Sequence, residues 1–548
     1  MRINSRLHTS SSSSSNAIDD ICPFLNELPS LFAERLGKVY ANSASSTHKK
    51  EKGQFFTPKG IADFMSGLVK MSCSKIKILD PGCGMAILSC SLIEHLVSHN
   101  KEIKEIELVV YETDNDILPC LKIVLDYLKG WLLNQNIYLE ITLSANDFVL
   151  DNKICFEKSV PLFFNEQVKT YDIVISNPPY FKIPKDDDRA IAARSIVWGQ
   201  PNIYSIFMMV AAKLLKDKGQ LVFITPRSFT SGNYFRAFRE AFFREIEIEH
   251  IHLFGSRTDA FEKDNILQET LILKGKKQHL DTHLPEIVVT HSSGINDIGN
   301  HKQKKYRTNE LINYHSKEKI IHLPTNEIDD NVIKLFKSWS GSLSAYNIKI
   351  STGPVVSFRA TKYLFNQYQN GTIYLVPLYQ LVNTSKMHFE WPVTKRDKPQ
   401  YIQFCDETRS LLLPNKNYIL LRRFSAKDDK SRLVAAPYFA DIAQAEYIGI
   451  ENHLNYIYRP DGDLENNELL GLCALLNSNL FDTYFRTFNG NINVSATELR
   501  EMPLPPLEDI KQIGNEIIVQ KSLSYTGIDD FINSYFGIAH IFVNEQSR

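Results

Sequence analysis

Residues 78–84 read Ile-Leu-Asp-Pro-Gly-Cys-Gly, and this stretch decides the fold of the chain. An apolar strand runs into a glycine-rich turn, and a helical pattern follows over Ile87–Val97. Gly82 and Gly84 let the backbone approach a ligand closely, and Asp80 stands where open α/β sheets bind ligands. The turn matches neither a phosphate loop nor the Gly-x-Gly-x-x-Gly of dinucleotide binding. An acidic residue there suits a cationic or amino-acid-like cofactor.

Strands and helical patterns alternate around this turn, from Gly53 to about Gly275. The strand candidates are Ile76–Leu79, Leu108–Tyr111, Tyr138–Leu143, Ile173–Ile175, Gln220–Thr225, Ile246–Leu253 and Thr270–Leu273. Such alternation is typical of an α/β fold with a doubly wound, mostly parallel sheet, because each crossover between parallel strands needs a helix.

Acidic residues follow the next two strands. Glu112 comes at the tip of the second strand, where an acid usually holds ribose hydroxyls. Asp147 and Phe148 follow the third strand, where the carboxylate could accept from an adenine amino group and the ring could pack on the base. By itself Asp147 fits a helix cap or a turn equally well. Thr57 either caps the helix that follows Pro58 or belongs to a loop that closes over the cofactor.

Residues 171–180 read Tyr-Asp-Ile-Val-Ile-Ser-Asn-Pro-Pro-Tyr, a strand that ends in a rigid turn. The two prolines fix φ and restrict the residue before each of them. The turn therefore holds the Asn177 amide and the carbonyl of Pro178 in fixed directions, with the Tyr180 ring beside them. This arrangement suits gripping a planar base through its amino group. A chance tetrapeptide in a surface loop is the alternative.

The chain of 548 residues is too long for one ordinary core. We expect a disordered serine-rich tail and N-terminal helices at 1–50, the α/β domain at 51–275 and a polar, lysine-rich connector at 276–340. Residues 341–508, where short β-like runs alternate with turns, are expected to form a second α+β domain. Residues 509–548 are expected to form a helical tail.

Bulk composition excludes several classes of protein. No apolar run approaches the length of a membrane span, so no membrane association is expected. The eight cysteines are scattered and include no Cys-x-x-Cys pair, which favours reduced thiols in a cytoplasm and no metal site. The formal net charge is −1, so any surface that binds nucleic acid has to be local.

The ordered set of motifs resembles the TaqI-type (γ-class) DNA adenine-N6 methyltransferases of type II restriction–modification systems. In that family Gly-Gln-Phe-Phe-Thr-Pro comes first, as at 53–58, and Asp-Pro-x-x-Gly follows, as at 80–84. Acids after the second and third strands, Asn-Pro-Pro-Tyr and a target-recognition domain complete the order. Further stretches similar to the family lie at 223–227, 261–269, 351–359 and 485–491.

The resemblance implies a Rossmann-like methyltransferase sheet with S-adenosylmethionine as cofactor. The residues that would bind the cofactor are Thr57, Asp80, Gly82, Gly84, Glu112, Asp147 and Phe148. Asn177 and Pro178 would hydrogen-bond the target amino group, and Tyr180 would stack on the flipped base. Phe261 falls where the family places a second aromatic, and a core aromatic is its alternative interpretation.

The resemblance also implies that double-stranded DNA is the partner and that residues 341–508 recognise the target. Arg422 and Arg423 belong to the best local basic cluster, which suits phosphates or guanine edges, although an exposed charged loop would look the same. Arg486 and Asn489 are predicted to contact DNA. A cognate restriction endonuclease would act on the same site without forming a stable complex. We expect a monomer that acts at the nucleoid.

Other activities remain open on the sequence. A cytosine-N4 methyltransferase shares the chemistry, but more often has Ser-Pro-Pro-Tyr, so Asn177 favours adenine. A protein-glutamine or RNA methyltransferase could use the same turn to bind an amide or a base. A non-catalytic DNA-specificity subunit or a nuclease is the alternative from a different class. Pro119-Cys120 resembles the nucleophile of cytosine-C5 enzymes, but it lies in the helix after the second strand, away from the Asn-Pro-Pro-Tyr turn.

Overall fold

The computed structural model describes residues 22–43, 56–157, 170–197, 201–255, 269–278, 286–368, 373–393, 398–426, 429–490, 492–520 and 527–542. The serine run at 10–15 and Phe261 lie outside these ranges. The chain divides into two compact units. Unit 1 comprises Met1–Phe229 and Tyr234–His315, and unit 2 comprises Thr230–Asn233 and Ser316–Arg548. No helix within these ranges is long and apolar enough to cross a membrane.

The sheet of unit 1 has the strand order β3-β2-β1-β4-β5-β7-β6-β8-β9. Neighbours from β3 to β5 run parallel, and β7 runs antiparallel to both β5 and β6. The doubly wound, mostly parallel fold predicted from the sequence is therefore confirmed. The strands are β1 (Lys75–Pro81), β2 (Glu105–Tyr111), β3 (Tyr138–Ser144), β4 (Tyr171–Ser176), β5 (Leu215–Pro226), β6 (Ile246–Phe254), β7 (Thr270–Lys277), β8 (Glu286–Ser292) and β9 (Lys302–Arg307).

Both faces of this sheet are buried, as expected of parallel strands flanked by helices. Ile78 and Ile175 join one core with the helices α1 to α4, whereas Leu79 and Val174 are buried without belonging to that core. The helices of unit 1 are α1 (Pro29–Ser43), α2 (Lys59–Gly67), α3 (Ile87–His99), α4 (Leu118–Leu133), α5 (Phe148–Asp151), α6 (Asp188–Ala192), α7 (Ile203–Leu214), α8 (Arg236–Glu245) and α9 (Thr308–Leu311).

The segment predicted as a connector at 276–340 differs from that expectation. Its first part carries β8 and β9, which extend the main sheet, and unit 1 continues to His315. β9 is an edge strand, and of its six residues only Tyr306 is buried. Edge strands tolerate lysines on both faces, and the charge discourages pairing with another chain. A polar, lysine-rich composition therefore did not distinguish this edge from a linker.

Unit 2 combines small sheets with a helical layer. Its sheets have the orders β10-β20-β17-β18 and β11-β15-β12-β19-β16, with a hairpin of β13 and β14. The strands are β10 (Lys349–Thr352), β11 (Leu364–Phe365), β12 (Leu375–Tyr379), β13 (Thr384–Ser385), β14 (His388–Phe389), β15 (Tyr401–Gln403), β16 (Leu412–Pro414), β17 (Tyr418–Arg422), β18 (Ala435–Tyr438), β19 (Tyr447–Ile450) and β20 (Leu454–Tyr458).

The helices of unit 2 are α10 (Glu327–Ser338), α11 (Ser357–Ala360), α12 (Asn466–Asn477), α13 (Asn479–Phe488), α14 (Ala496–Arg500), α15 (Leu507–Gln520), α16 (Ile528–Tyr535) and α17 (Ala539–Phe542). α12 and α13 follow each other directly along the chain and are separated at Ser478. Ser478 is extended, with ψ 152°, and its Oγ accepts from the backbone N–H of Phe481 at 3.3 Å. Serine is a favoured N-cap because it satisfies a donor that the new helix leaves unpaired.

α12 and α15 approach each other at glycines. A Cβ atom added to Gly471 would lie 1.9 Å from the carbonyl oxygen of Ile510, and one added to Gly514 would lie 1.8 Å from that of Asn467. These neighbours are backbone atoms, which cannot rotate out of the way. The two glycines thus allow the helices to pack at a distance that any side chain would increase.

Gly471→Ala and Gly514→Ala should each lower the free energy of unfolding by about 1–3 kcal/mol, because the added methyl forces the helices apart. Urea unfolding followed by circular dichroism measures the effect. Gly130→Ala is the matched control, since Gly130 lies in α4 with nothing within 4 Å of an added Cβ. It should be neutral or stabilise by up to about 1 kcal/mol through helix propensity. An unchanged midpoint for Gly471→Ala would refute the packing argument.

Candidate active site

A pocket in unit 1 opens where the carboxyl ends of β1, β2 and β4 meet. Among the described residues its wall comprises Phe56, Thr57, Gly82, Cys83, Gly84, Ile87, Leu88, Tyr111, Glu112, Thr113, Ile117, Asn146, Asp147, Phe148, Asn177, Pro178, Pro179, Phe181, Arg189, Ile203 and Phe207. This wall contains all the predicted cofactor residues except Asp80, and two of the three predicted catalytic residues. Asp80 and Tyr180 are buried and do not line it.

The glycine turn after β1 forms one side of the pocket. Gly82 and Gly84 have φ values of +72° and +54°, in the left-handed region that favours glycine. A Cβ on Gly84 would also lie 3.3 Å from the Phe56 ring. Side chains at these positions would therefore both strain the backbone and crowd the pocket.

Asp80 is fully buried at the end of β1. Its Oδ2 accepts from the Ser89 hydroxyl at 2.6 Å, but Oδ1 has no hydrogen-bond partner in the described part of the chain. Burial raises the pKa of Asp80 to about 7, although the bond from Ser89 opposes the shift. A buried carboxylate oxygen without a donor is costly, and a cationic ligand would relieve that cost.

Glu112 joins two loops of the pocket. Its Oε2 accepts from the Gly84 N–H at 3.0 Å, and its Oε1 accepts from the Asp114 N–H at 2.8 Å. Burial raises the pKa of this carboxyl, and the backbone donors partly offset the shift. Each oxygen retains acceptor capacity toward a ligand hydroxyl, because a carboxylate oxygen can accept two hydrogen bonds.

Asp147 caps a helix, as one of its two interpretations predicted, and it also lines the pocket, where acceptance from an adenine amino group stays a prediction. Its Oδ1 caps α5 by accepting from Val149 N at 2.9 Å and Leu150 N at 3.1 Å. Its Oδ2 lies 3.5 Å from Nη1 of Arg189, which also makes two bonds to Asp187 at 2.8 and 2.6 Å. Sequence reasoning missed Arg189. The one available signal was an arginine directly after three aspartates, shortly downstream of the Asn-Pro-Pro-Tyr turn.

Aromatic rings form the apolar part of the wall. Phe148 is 2% exposed, and its ring lies between Tyr111 and Phe207 at centroid distances of 5.2 and 5.1 Å. Tyr111 and Phe207 were not singled out from the sequence, because single aromatics in a strand and a helix carry no motif.

The Asn177 amide is held at both ends. Its Nδ2 donates to Thr57 Oγ1 at 3.1 Å, and its Oδ1 accepts from the Tyr180 hydroxyl at 2.6 Å. Tyr180 Oη also lies 2.8 Å from the carbonyl oxygen of Ile224. The helix-cap interpretation of Thr57 was wrong, since Pro58 is the N-cap of α2 and no side chain caps it. Stacking of Tyr180 on a base stays a prediction, because this ring is only 8% exposed.

Asn489 requires a correction. It was predicted to contact DNA, but it is 3% exposed within unit 2. Its Oδ1 accepts from Arg432 Nη2 at 2.8 Å, and its Nδ2 donates to Glu498 Oε2 at 2.8 Å and to the Asn493 carbonyl at 3.1 Å. Arg432 is itself 1% exposed. Both side chains belong to a buried network that supports this unit.

The other predicted DNA contacts are half-buried. Arg422 donates to the Thr384 carbonyl from Nε at 3.0 Å and also from Nη2. Arg423 donates to the Asn452 carbonyl at 3.0 Å. Arg486 bonds Asp482 at 2.6 Å and the Asp429 carbonyl at 2.8 Å. Contact of these three guanidinium groups with DNA stays a prediction.

Comparison with known proteins gives consistent matches. The family described as Eco57I restriction-modification methylase matches residues 96–261. Type II methyltransferase M.PstI of Providencia stuartii is 32% identical over 496 residues, which cover 90% of this chain and 94% of that protein. Type II methyltransferase M.BsuBI of Bacillus subtilis is 32% identical over 474 residues, covering 86% and 91%. The type IIG restriction endonuclease BpuSI matches 89% of this chain and 63% of its own at 14% identity, with a TM-score of 0.43.

Proposed function

Because the chain belongs to the type II methyltransferases of restriction–modification systems, we propose that it methylates the N6 amino group of adenine in double-stranded DNA. The observation that carries this proposal is the orientation of the Asn177 amide in the pocket wall. Its nitrogen donates to Thr57 at 3.1 Å, which fixes the direction of its carbonyl oxygen, and that oxygen, which accepts from the Tyr180 hydroxyl, can accept a second hydrogen bond from an amine. The resulting methylation would protect host DNA from a cognate endonuclease that acts on the same site.

S-adenosylmethionine is the cofactor of this DNA methyltransferase, and the residues of the pocket fit it. Asp80 is buried behind the pocket wall, close in sequence to the lining residues Gly82 and Gly84, and its Oδ1, without a hydrogen bond in the described part of the chain, suits attraction of the ammonium group of the amino-acid part of the cofactor. Glu112 would accept from the ribose hydroxyls, and Asp147 with Phe148 would hold the adenine. When bound, the cofactor supplies an electrophilic methyl group on a sulfonium.

The chain's own contribution is to make a poor nucleophile reactive. The lone pair of an adenine amine is delocalised into the ring, which leaves little density on the nitrogen. Asn177 Oδ1 and the Pro178 carbonyl would accept its two protons, draw the nitrogen towards tetrahedral geometry and stabilise positive charge as it develops. No covalent enzyme intermediate is needed, since in-line transfer depends mainly on positioning.

The target base would have to leave the duplex, because its amino group is inaccessible inside the base stack. Tyr180 and Phe261 are the aromatics proposed to receive it by stacking. Cytosine N4 is the second candidate acceptor, since it is also an exocyclic amine. Asn177 favours adenine, because the related cytosine enzymes more often have serine at this position. We propose that the enzyme acts as a monomer and forms no stable complex with the endonuclease.

Asn177→Ala should reduce methyl transfer by about 100- to 1000-fold, because the amine loses one of its two acceptors. Transfer from labelled S-adenosylmethionine to unmethylated plasmid DNA, followed by nucleoside mass spectrometry, measures the rate and identifies the product. Cofactor affinity by calorimetry should change little. N4-methylcytosine as the wild-type product would move the proposal to cytosine, and loss of cofactor binding as the main defect would contradict the role of Asn177.

Thr57→Val should lower kcat about tenfold or more, because the Asn177 amide loses the acceptor that fixes its orientation. Thr57→Ser is the matched control, since it retains the hydroxyl and should keep most of the activity. Steady-state kinetics on the same plasmid separates kcat from KM. Equal losses in both variants would show that the methyl group of Thr57, rather than its hydroxyl, matters.

The affinity for S-adenosylmethionine should fall as the pH drops below about 7. At lower pH the loss of affinity should approach about tenfold per pH unit. The pKa of Asp80 is raised to about 7 by burial, and its ionised form is the one that attracts an ammonium group. Titration calorimetry with S-adenosylmethionine from pH 5.5 to 8.5 measures the profile. Asp80→Asn should bind more weakly and lose this part of the pH dependence, so an identical profile in that variant would exclude Asp80 as its origin.

A further inference from the structure

Phe358 has a large apolar side chain that is 76% exposed. It lies in α11, next to Arg359, whose guanidinium carbon is 5.4 Å from the centre of the Phe358 ring. A single exposed apolar residue is ordinary on a protein surface. Phe358 differs from such residues because its backbone segment is rigidly held and because its neighbours carry positive charge and aromatic rings.

The segment that leads to Phe358 is locked onto the turn between β19 and β20. A Cβ on Gly353 would lie 2.3 Å from the Glu451 carbonyl oxygen, so the two backbones are in close contact. Gly353 N donates to Leu454 O at 2.9 Å, and Asn452 N donates to Val355 O at 2.8 Å. Because this backbone segment is already ordered, little conformational entropy is lost when Phe358 binds a partner.

The buried carboxylate of Glu451 connects this backbone segment to the exposed His453. Glu451 Oε1 accepts from the Ser357 hydroxyl at 3.2 Å, and both Glu451 oxygens lie within 2.7 Å of His453 Nδ1. The Glu451 side chain is 4% exposed, whereas that of His453 is 52% exposed. The pair fixes the imidazole orientation and leaves Nε2 as the ring nitrogen that can meet a partner.

Arg423 and Phe424 complete the same surface. Arg423 N donates to the His453 carbonyl at 2.9 Å, and its Nη1 donates to the Asn452 carbonyl at 3.0 Å. The Phe424 ring lies 5.2 Å from that of His453. We define the aromatic–cationic surface as Phe358, Arg359, Arg423, Phe424 and His453. Two guanidinium groups belong to it, and its acid, Glu451, is buried beneath the imidazole.

From this arrangement we infer that the aromatic–cationic surface binds duplex DNA, with Phe358 inserted against the bases and His453 bonded to a base edge at the target site. The inference rests on the proposed action on DNA. Charge favours this partner, because arginines beside an exposed ring suit phosphates and stacked bases together. Glu451 acts as the positioning residue that holds His453 in register with the Phe358 segment.

The test compares binding of two duplexes by the full-length protein in the presence of S-adenosylhomocysteine. One carries the site mapped by sequencing the DNA that the wild type methylates, and the other is a scrambled sequence of equal length. Phe358→Ala and His453→Gln should each weaken binding to the site duplex about tenfold or more. Binding to the scrambled duplex should change less, and methylation should spread to near-cognate sites. Phe358→Trp should bind nearly as the wild type does, because it keeps an aromatic surface.

Val519→Ala and His540→Gln are the controls, since both positions are exposed on the C-terminal helices of unit 2. Calorimetry with the cofactor and thermal unfolding should be unchanged in all variants, which separates DNA contact from misfolding. Site binding and methylation equal to the wild type in both Phe358→Ala and His453→Gln would overturn the inference. If the wild type transfers no methyl group to DNA, the proposed function fails instead, and a random-sequence duplex library then serves as the binding probe.

Discussion

The active site depends on how the tips of β1 and β4 are joined. The two strands run parallel with Leu79 opposite Val174, and β2 runs parallel on the other side of β1 with Val109 opposite Leu79. At the end of this register the buried Ser176 hydroxyl donates to the Pro81 carbonyl at 2.7 Å. That bond fixes the Asn-Pro-Pro-Tyr turn against the glycine turn, so the two turns that we propose for the acceptor and for the methyl donor are held rigidly together.

Much of this frame could be predicted from the sequence, because strand tips are marked by local chemistry. Asp80, Glu112 and Asp147 each follow an apolar run, and parallel strands bring their carboxyl ends to one edge. Arg189 could not be found in the same way, since its bond to Asp147 depends on the path of the chain after β4. The edge strand β9 was missed because a solvated edge has no apolar signature. β8, which lies between β6 and β9, was missed with it because its short apolar run stands inside a polar, lysine-rich segment. Asn489 was misjudged because a motif shows residue type but not burial.

The burial of Asn489 connects the core of unit 2 to its surface. Asn489 joins Arg432 to Glu498 and also donates to the Asn493 carbonyl at 3.1 Å. Asn493 in turn pairs with Phe424 in an isolated bridge. Burying a charged network costs free energy unless every member is hydrogen-bonded. Here the bonded network also fixes the backbone beside Phe424. Asn489, which lies in a family-like stretch, therefore supports the backbone beneath the aromatic–cationic surface.

The single proton of the Tyr180 hydroxyl lies within reach of two acceptors among the described residues, and its direction affects Asn177. When the proton points to Asn177 Oδ1, at 2.6 Å, it occupies one lone pair of the oxygen that the proposed mechanism needs. When it points to the Ile224 carbonyl, at 2.8 Å, that lone pair is released. Because the carbonyl of Ile224 is already within hydrogen-bonding distance, rotation of the hydroxyl leaves no buried donor unpaired, and a small separation of the two oxygens then releases Asn177. The same turn can thus keep its amide ordered without a substrate and present it fully to an incoming amine.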